Sequence, residues 1–372
     1  MRVLFLAWRD PRHPEAGGSE LYVQAIAEQL VRRGHEVVVR VARPRGLRRD
    51  ENIDGVRYER AGGRMSVYPL GLLRAVREPR TTVIVDVVNG VPFGAGLFPR
   101  RRVVAVIHHV HRAQWRMIYP GLGGRLGWFV ESRIAPLANR GHPVVTVSEA
   151  SRNDLIDLGY PHDSVHVVRN GLPQDVIARG ASSLTRSRPR PTRLIVLARL
   201  VPHKQVEHAL LTAAALAPRW PDLSLDVIGD GWWRSKLERQ CRELALEDRV
   251  TFHGHVTEAR KIEILDSSGL MLMPSAKEGW CLAVSEAGLR GIPTIGYRHS
   301  GGLAESIKDG ESGWLVADLT DLIRTTEEAL RAPSEVVVRG RNAHRHARTL
   351  DRTGPGARFE RILAKENAQR SP

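Results

Sequence analysis

Two glutamates eight positions apart, Glu278 and Glu286, are the residues best placed to bind a ligand. They follow the apolar run Leu270–Met273 and lie on either side of a predicted helix start, where backbone N–H groups have no helical partner. These N–H groups belong to Leu282, Ala283 and Val284, and they would point at an anion. One carboxylate could then bind sugar hydroxyls and the other ribose hydroxyls, with a diphosphate between them. Taken alone, the pair has a simpler interpretation: Glu278 caps the helix and Glu286 pairs with a surface cation.

Two cations, Arg199 and Lys204, follow another apolar run and could neutralise the same diphosphate. Both come after residues 194–197, at the carboxyl end of a predicted strand, where fixed positive charges can meet a departing anion. Ordinary solvated loop charges are the alternative. The loops at Gly229 and Asn170 also follow apolar runs, and their glycines either let a backbone approach a ligand closely or mark tight turns.

The elements that would position these residues alternate between short β-branched runs and helical patterns. The strands predicted in the first half are residues 2–7, 36–41, 82–88, 103–107 and 144–147. Those predicted in the second half are residues 194–197, 223–228, 250–253, 270–273, 294–296 and 314–316. Nearly continuous apolar strands are buried on both faces, as in parallel sheets covered by helices. Ligands in such sheets bind at the carboxyl ends of the strands.

We therefore predict an α/β protein with two Rossmann-like βα domains that face each other across a cleft. The first domain would span residues 1–180, followed by a polar, proline-containing linker over residues 181–192. The second domain would span residues 193–334. A basic helical segment over residues 335–372 would pack back on the first domain.

Length and composition agree with a two-domain intracellular protein. The 372 residues exceed what one hydrophobic core usually holds. The two cysteines, Cys241 and Cys281, lack the spacing of a disulfide framework or a zinc site, which fits a reducing compartment. The apolar N-terminal run stops at Arg9, too early for a signal peptide, and no apolar stretch approaches the roughly 20 residues of a membrane span. We predict a cytoplasmic location.

The net charge of +15 indicates anionic partners. Arginines cluster near residues 43–49, 100–102 and 186–193. Such a surface attracts nucleotide diphosphates, acidic lipid headgroups or nucleic acid. The alternative is an arginine-rich but merely solvated surface.

The ordered set of motifs resembles the family-4 GT-B glycosyltransferases over about residues 2–330. The resemblance is carried by Gly17-Gly18-Ser-Glu20, Val145-Thr-Val-Ser148-Glu, Val168-Arg-Asn170-Gly171, Arg199 with Lys204, Ile228-Gly-Asp-Gly231, the Glu278/Glu286 pair, Gly301-Gly302-Leu-Ala-Glu305, and Asp309-Gly310-Glu-Ser-Gly313-Trp-Leu-Val316. Each motif is weak alone, and their order makes the resemblance specific.

The resemblance implies a retaining transfer from a UDP-, GDP- or similar sugar donor, without a cofactor or an obligatory catalytic metal. In line with this, the chain contains no Asp-x-Asp triplet. Carried over by position, the family's roles assign the diphosphate to Arg199 and Lys204, the ribose to Glu286 and the transferred sugar to Glu278. The first-domain loop at Gly17 and Gly18 would approach the diphosphate and the acceptor. Further candidate donor contacts are Asn170, Gly229, Leu282, Ala283 and Val284.

The resemblance also implies a histidine that faces the donor sugar, and His108 is preferred because it directly follows the strand over residues 103–107. The neighbouring His109 leaves that assignment open, and a metal cluster with His111 is a less favoured interpretation. Trp115 could stack on a sugar or lipid or belong to the core.

Two positions depart from the family, which commonly has glycine at Ala198 and Cys281. Alanine is a small change. Cys281 lies where close backbone approach to the donor is expected, and it could be a reactive thiol at a helix start or simply pack.

Two other functions share parts of this pattern. A nucleotide-sugar 2-epimerase would have the same architecture and would convert the donor without an acceptor. A basic nucleic-acid-binding module is disfavoured, because no recognised motif is present and the basic residues are scattered among loops. The acceptor could be a glycan, a lipid-linked molecule or a small molecule. The arginines of the first domain suggest peripheral contact with the anionic inner face of a membrane.

Overall fold

The computed structural model describes residues 1–98, 100–172, 191–351 and 354–369. The chain divides into two compact units. The first unit consists of Met1–Gly171 together with Gly354–Pro372, and the second of Leu172–Thr353. The predicted linker over residues 181–192 lies outside the described residues apart from its last two positions.

The first unit is built on an eight-stranded sheet in the order β3-β4-β2-β1-β5-β6-β7-β8. Its strands are β1 Arg2–Leu6, β2 Glu36–Val41, β3 Asp50–Ile53, β4 Val56–Arg60, β5 Val83–Val87, β6 Arg102–Val106, β7 Val144–Thr146 and β8 Val165–Val167. All pairings are parallel except β3 with β4. Every residue of β5 and β6 is buried, as expected for runs of β-branched side chains inside a parallel sheet.

Helices cover this sheet. They are α1 Gly18–Arg32, α2 Val67–Val76, α3 Arg112–Ile118, α4 Leu122–Phe129, a π-helical turn Val130–Ile134, α5 Ala135–Ala138 and α6 Glu149–Asp157. The helix near the C-terminus, α14 Pro355–Gln369, also belongs to this unit. Its Phe359 is fully buried and stacks on Phe5 of β1 with the ring centroids 6.1 Å apart.

The second unit has a six-stranded, fully parallel sheet in the order β11-β10-β9-β12-β13-β14. Its strands are β9 Arg193–Leu197, β10 Ser224–Ile228, β11 Val250–Gly254, β12 Leu270–Met273, β13 Thr294–Tyr297 and β14 Gly313–Val316. Counted within the unit, this is the order 3-2-1-4-5-6 of the Rossmann fold. The order reverses between β9 and β12, where such sheets bind their ligands.

The helices of the second unit lie on both sides of that sheet. They are α7 Val206–Leu216, α8 Arg234–Glu243, α9 Glu258–Ser267, α10 Leu282–Leu289, α11 Leu303–Ser306, α12 Leu319–Arg331 and α13 Pro333–Asp351. Two apolar clusters, one around Leu194 and Val196 and one around Ile195 and Met271, form the core. Alternate residues of β9 therefore feed opposite faces of the sheet.

The prediction that residues 335–372 form one segment packed on the first domain is wrong for the first half of that segment. Helix α13 belongs to the second unit, where His344 Nδ1 lies 2.8 Å from the carbonyl oxygen of Leu289 in α10. Gly340 allows this packing, because a Cβ there would lie 2.0 Å from the carbonyl oxygen of Gly291. Of the two helices in this C-terminal segment, only α14 packs in the first unit. A basic helical pattern does not reveal which core its apolar face will join.

Candidate active site

Two loops of the second unit leave the sheet at the point where the strand order reverses. One follows β9 and carries Lys204, and the other follows β12 and carries Glu278. The loops are tied together, because the N–H of Ala276 donates to the carbonyl of His203 at 2.8 Å. Residues that are 74 positions apart in the sequence are thereby held side by side.

Lys204 and Glu278 form an ion pair, with Nζ 2.6 Å from Oε1. The lysine side chain is 17% exposed and the glutamate side chain 9%, so the pair is largely withdrawn from water. The backbone of Glu278 is fixed as well. Its N–H donates to Ser300, and its carbonyl accepts from Gly302. The sequence predicted both residues as catalytic but not their mutual contact.

Arg199 lies half-buried in the same loop after β9. This loop packs against the loop after β10, because the N–H of Leu200 donates to the carbonyl of Asp230 at 2.9 Å. Gly229 has φ +126°, and a Cβ there would lie 2.0 Å from the carbonyl oxygen of Ala198. The glycine is therefore required by close approach of two backbones within the protein. Its predicted contact with a donor stays a prediction.

Helix α10 starts at Leu282, directly after Cys281, which adopts the left-handed conformation with φ +76°. This conformation is rarely adopted by residues other than glycine, which explains why glycine suits the position. Burial raises the pKa of the Cys281 thiol well above its ordinary value, so the interpretation as a reactive thiol is wrong. Cys281 packs in the apolar cluster with Met271. The N–H of Val284 donates to the carbonyl of Cys281 at 3.2 Å.

The second glutamate, Glu286, is paired with a lysine that sequence reasoning missed. Lys261 of α9 places Nζ 2.6 Å from Glu286 and 2.9 Å from Glu258. Burial would lower the pKa of Lys261, but the two carboxylates outweigh it and raise the pKa. The lysine side chain is only 15% exposed, so it is not the surface cation of the simpler sequence interpretation. No spacing within the sequence connects Lys261 to Glu286.

In the first unit, the loop before α1 is shaped by a buried ion pair. The carboxylate of Glu20 accepts hydrogen bonds from Arg9 Nε at 3.2 Å and from the backbone N–H of Gly17 at 2.7 Å. Both side chains are at most 7% exposed. The glycines Gly17 and Gly18 therefore open α1 in a loop whose position is fixed by charge. Arg9 had no assigned role in the sequence.

His108 follows β6 and is buried in the first unit. Neither ring nitrogen has a hydrogen-bond partner among the described residues. The ring of Tyr22 in α1 contacts it edge-on, with centroids 5.1 Å apart. The pKa of His108 is lowered to about 4, because burial disfavours the imidazolium and the charge of His111 adds to the effect. At neutral pH the ring is uncharged and can both donate and accept a hydrogen bond.

The neighbouring histidines have other partners. His109 Nε2 lies 3.2 Å from Gln114 Oε1, and His111 Nδ1 lies 2.7 Å from Glu131 Oε1. The indole of Trp115 donates to the same carboxylate at 2.7 Å, which makes it a packing residue within its unit. Within the described ranges, no group of three metal-ligating side chains comes together. Of these three neighbouring histidines, His108 is the one whose two ring nitrogens both lack a hydrogen-bond partner in the described part of the chain.

Asn170 lies after β8 in the first unit, near a residue that contacts His108. The hydroxyl of Tyr22 donates to the carbonyl of Val168 at 3.2 Å. Asn170 is 5% exposed, and its Oδ1 has no hydrogen-bond partner in the described part of the chain. Tyr22 therefore connects the loop after β8 with the loop after β6.

Comparison with known proteins identifies the class to which this fold and these loops belong. Residues 16–176 match the family model described as Glycosyltransferase Family 4, and residues 185–346 match the model described as Glycosyl transferases group 1. Together the two matches span most of the chain. The chain therefore belongs to the family-4 glycosyltransferases, as the ordered motifs predicted.

One relative is the human phosphatidylinositol N-acetylglucosaminyltransferase. The matched polypeptide of that enzyme is 25% identical over 306 residues, which are 78% of this chain and 60% of the relative. The match therefore spans less than two thirds of the relative.

Two solved structures share the fold. Sucrose-phosphate synthase from Thermosynechococcus elongatus has a TM-score of 0.82 at 16% identity and covers 99% of both chains. HepE from Anabaena, in complex with UDP and glucose, has a TM-score of 0.74 at 19% identity and covers 98% of this chain and 99% of its own. These likenesses confirm the GT-B fold with two Rossmann-like domains.

Proposed function

We propose that this glycosyltransferase is a retaining, metal-independent enzyme that transfers a sugar from a nucleotide-diphosphate donor, with UDP- or GDP-sugars favoured. The observation that carries the proposal is the Lys204–Glu278 ion pair at the point where the strand order of the second unit reverses. A largely buried cation beside a largely buried carboxylate suits a ligand that is itself part anion and part polyol.

The two charges would separate their roles on the donor. Lys204, together with Arg199, would stabilise the negative charge that develops on the departing diphosphate. The backbone N–H groups of Leu282 and Ala283 at the start of α10 and the loop at Gly229 would line the same anion. The predicted contribution of Val284 would require its N–H to leave the carbonyl of Cys281. Glu278 would accept hydrogen bonds from the transferred sugar. Because Glu278 already has a fixed backbone, little reorganisation is needed when the sugar binds.

Glu286 would bind the ribose hydroxyls. Its ion pair with Lys261 supports this role. Lys261 keeps a compensating charge beside a carboxylate that is only 13% exposed. A ribose could then donate hydrogen bonds to the remaining lone pairs of Glu286.

The first unit would supply neutral contacts. His108 keeps the role implied by the family resemblance, contact with the transferred sugar, and its uncharged ring suits a hydroxyl. Gly17, Gly18 and Asn170 are proposed as further contacts of donor or acceptor.

The proposed catalysis is electrostatic and involves no covalent bond between the enzyme and the sugar. The bond between the sugar and the phosphate breaks toward an oxocarbenium-like state, the acceptor hydroxyl attacks from the same face, and the departing phosphate oxygen takes its proton. The configuration at the anomeric carbon is thereby retained. The acceptor is proposed to be a glycan, a lipid-linked molecule or a small molecule. We favour a cytoplasmic location, with peripheral contact between the enzyme and an anionic membrane.

A thermal-shift screen without metal tests the donor assignment. The purified protein is mixed with UDP, GDP, ADP, dTDP and their common sugars, and one nucleotide class should raise the melting temperature. The Glu286→Gln variant should lose most of that shift, whereas Glu243→Gln, at the far end of α8, should keep it. A folded protein that responds to no nucleotide would contradict the proposal.

Turnover separates the transferase from the alternative 2-epimerase. Conversion of the donor sugar in the absence of any acceptor, without hydrolysis, would favour the epimerase. The anomeric configuration of the transferred sugar, read by NMR, tests retention, and activity that survives a chelator tests metal independence.

A further inference from the structure

The first unit exposes large apolar side chains on the solvent-facing side of a helical segment, where polar side chains are expected. Residues 122–138 run continuously through α4, the π-helical turn and α5. Leu122 is 80% exposed, Leu126 64%, Phe129 53% and Leu137 62%. Their spacing of three, four and eight residues places them along one side of the helical segment. We call these four residues the apolar stripe.

The opposite side of the segment packs against the unit, yet apart from the partly buried Trp128 it is made mostly of small or charged residues. The buried positions are Gly124, Gly127, Glu131, Ala135 and Ala138. The usual amphipathic arrangement is thus inverted, because leucine and phenylalanine face outward while glycine and alanine face inward.

The inverted orientation is fixed by three contacts and cannot relax by rotation of the helix. A Cβ at Gly127 would lie 2.3 Å from the ring of Trp115, and a Cβ at Gly124 would lie 2.3 Å from the carbonyl oxygen of Tyr119. Glu131 accepts hydrogen bonds from both His111 and Trp115 at 2.7 Å. Close packing on one side therefore holds the apolar stripe in solvent on the other.

Nearby apolar side chains extend the stripe. Leu97 is 64% exposed and follows Gly96, whose Cβ would lie 2.1 Å from the carbonyl oxygen of Ala138. Met117, on the adjoining α3, is 44% exposed. Contiguous exposed apolar surface of this kind marks an interaction site rather than the scattered exposure of ordinary surfaces.

The charge around the stripe is of one sign. Residues 87–148 contain eight arginines and a single acidic residue, the buried Glu131. Five of the arginines are exposed: Arg112, Arg116, Arg125, Arg133 and Arg140. In the described part of the chain, no ion pair with an acidic side chain is found for these five. Arg125 and Arg133 are interleaved with the stripe itself.

We propose that the apolar stripe docks the first unit on an anionic lipid bilayer. Leucine and phenylalanine side chains would enter the boundary between headgroups and acyl chains, and the arginines would reach the lipid phosphates. We favour a bilayer over a protein partner, because exposed apolar side chains ringed by charges of one sign match acyl chains beneath anionic headgroups. No helix in the described residues is long and apolar enough to span the bilayer. The inference deepens the proposed membrane contact and does not depend on the donor chemistry.

Vesicle binding tests the docking surface. The full chain should co-sediment with vesicles of phosphatidylcholine mixed with phosphatidylglycerol, and much less with phosphatidylcholine alone. Leu122→Ser with Leu126→Ser should weaken binding at least about tenfold. Arg125→Gln with Arg133→Gln should weaken it by about fivefold for each arginine removed. The matched control, Val338→Ser with Arg341→Gln, changes exposed residues of α13 in the second unit and should bind as the unaltered chain does.

A fluorescent label distinguishes insertion from surface attraction. Both native cysteines are buried, so Leu126→Cys can be labelled selectively with an environment-sensitive dye. Its emission should shift to the blue with anionic vesicles, whereas the same dye on Val338→Cys should not change. An unshifted dye would overturn insertion of the stripe.

Two further outcomes would overturn the proposal. One is equal vesicle binding by the stripe variants and the unaltered chain. The other is a dimer in solution, measured by light scattering, that Leu122→Ser with Leu126→Ser converts to a monomer, because the stripe would then be an interface between copies. The vesicle assay uses no donor and the nucleotide screen uses no lipid, so failure of one proposal is distinguishable from failure of the other.

Discussion

The two units hold their candidate site residues by different means. In the second unit the key residues are charged and paired, Lys204 with Glu278 and Lys261 with Glu286. In the first unit His108 is buried and uncharged at neutral pH, without hydrogen-bond partners among the described residues. Paired charges compensate each other without a ligand. A diphosphate can then replace the carboxylate as partner of the lysine, and a sugar can donate hydrogen bonds to the carboxylate. An unpartnered buried imidazole costs free energy until a ligand supplies its hydrogen bonds.

Removal of the cation at Lys204 should have the largest effect. Lys204→Ala should reduce turnover by roughly a hundred- to thousand-fold, because the charge on the departing diphosphate loses a pre-positioned cation. Steady-state kinetics with the preferred donor measure the effect. Lys236→Ala serves as control, because that lysine is 54% exposed and lies outside the proposed site. Unchanged turnover in a folded Lys204→Ala protein would show that the leaving-group assignment is wrong.

The uncharged state of His108 predicts a pH dependence of stability. Its pKa of about 4 in the folded state is below the ordinary value of 6.5. The folded state thus binds fewer protons than the unfolded state, so stability is present above pH 6.5 and is lost as pH falls toward 4. The loss at acid pH is at most about 3 kcal/mol. His108→Phe should remove that part of the acid sensitivity, measured by urea unfolding at neutral and acid pH.

His166→Phe is the control for this measurement, since the pKa of His166 is also lowered by burial but its ring is only half-buried. It should change the acid sensitivity less. The His108→Phe protein should in addition lose transfer activity while keeping nucleotide binding. If its stability varied with pH as that of the unaltered chain does, His108 would not be the buried group that titrates.

A double-mutant cycle measures the interaction free energy between Lys261 and Glu286. Lys261→Met should lower the free energy of unfolding by about 2 kcal/mol, because it leaves the buried carboxylate of Glu286 uncompensated. Adding Glu286→Met should recover much of that loss, since no buried charge then remains. Denaturant unfolding of both single variants and the double variant gives the coupling. Additive effects would show that the two side chains do not interact.

The smallest effect is expected at Cys281. Replacing this left-handed residue by glycine should give a protein more stable than the alanine variant by about 1 kcal/mol, although glycine usually destabilises relative to alanine. Both substitutions remove the same sulfur, so the difference isolates the backbone strain at φ +76°. Thermal unfolding of the two variants measures it. A more stable alanine variant would mean that the position tolerates a Cβ without strain.

The sequence predicted most of the buried strands, because a short β-branched run flanked by loops rarely forms anything other than a strand in an α/β protein. It missed the antiparallel pair of β3 and β4, whose first strand, Asp50–Ile53, is polar and lies at the edge of the sheet. An edge strand is held by backbone hydrogen bonds and needs no apolar signal. The C-terminal helical pattern was recognised, but its division between the two units was not.

For the candidate site, the sequence predicted which residues bind the ligand, and the structure decided which side chains they contact. The types and order of Arg199, Lys204, Glu278 and Glu286 predict a diphosphate and hydroxyl ligand, because charge and hydrogen-bonding capacity are properties of single residues, and this stays a prediction. Partner choice depends on strand order, since β9 and β12 are neighbours only in the folded sheet. Lys261 beside Glu286, the exclusion of solvent from His108 and the outward side of residues 122–138 are all set by packing between segments distant in sequence. Local patterns determine which elements form, and only tertiary structure determines which side chains those elements bring together or leave exposed.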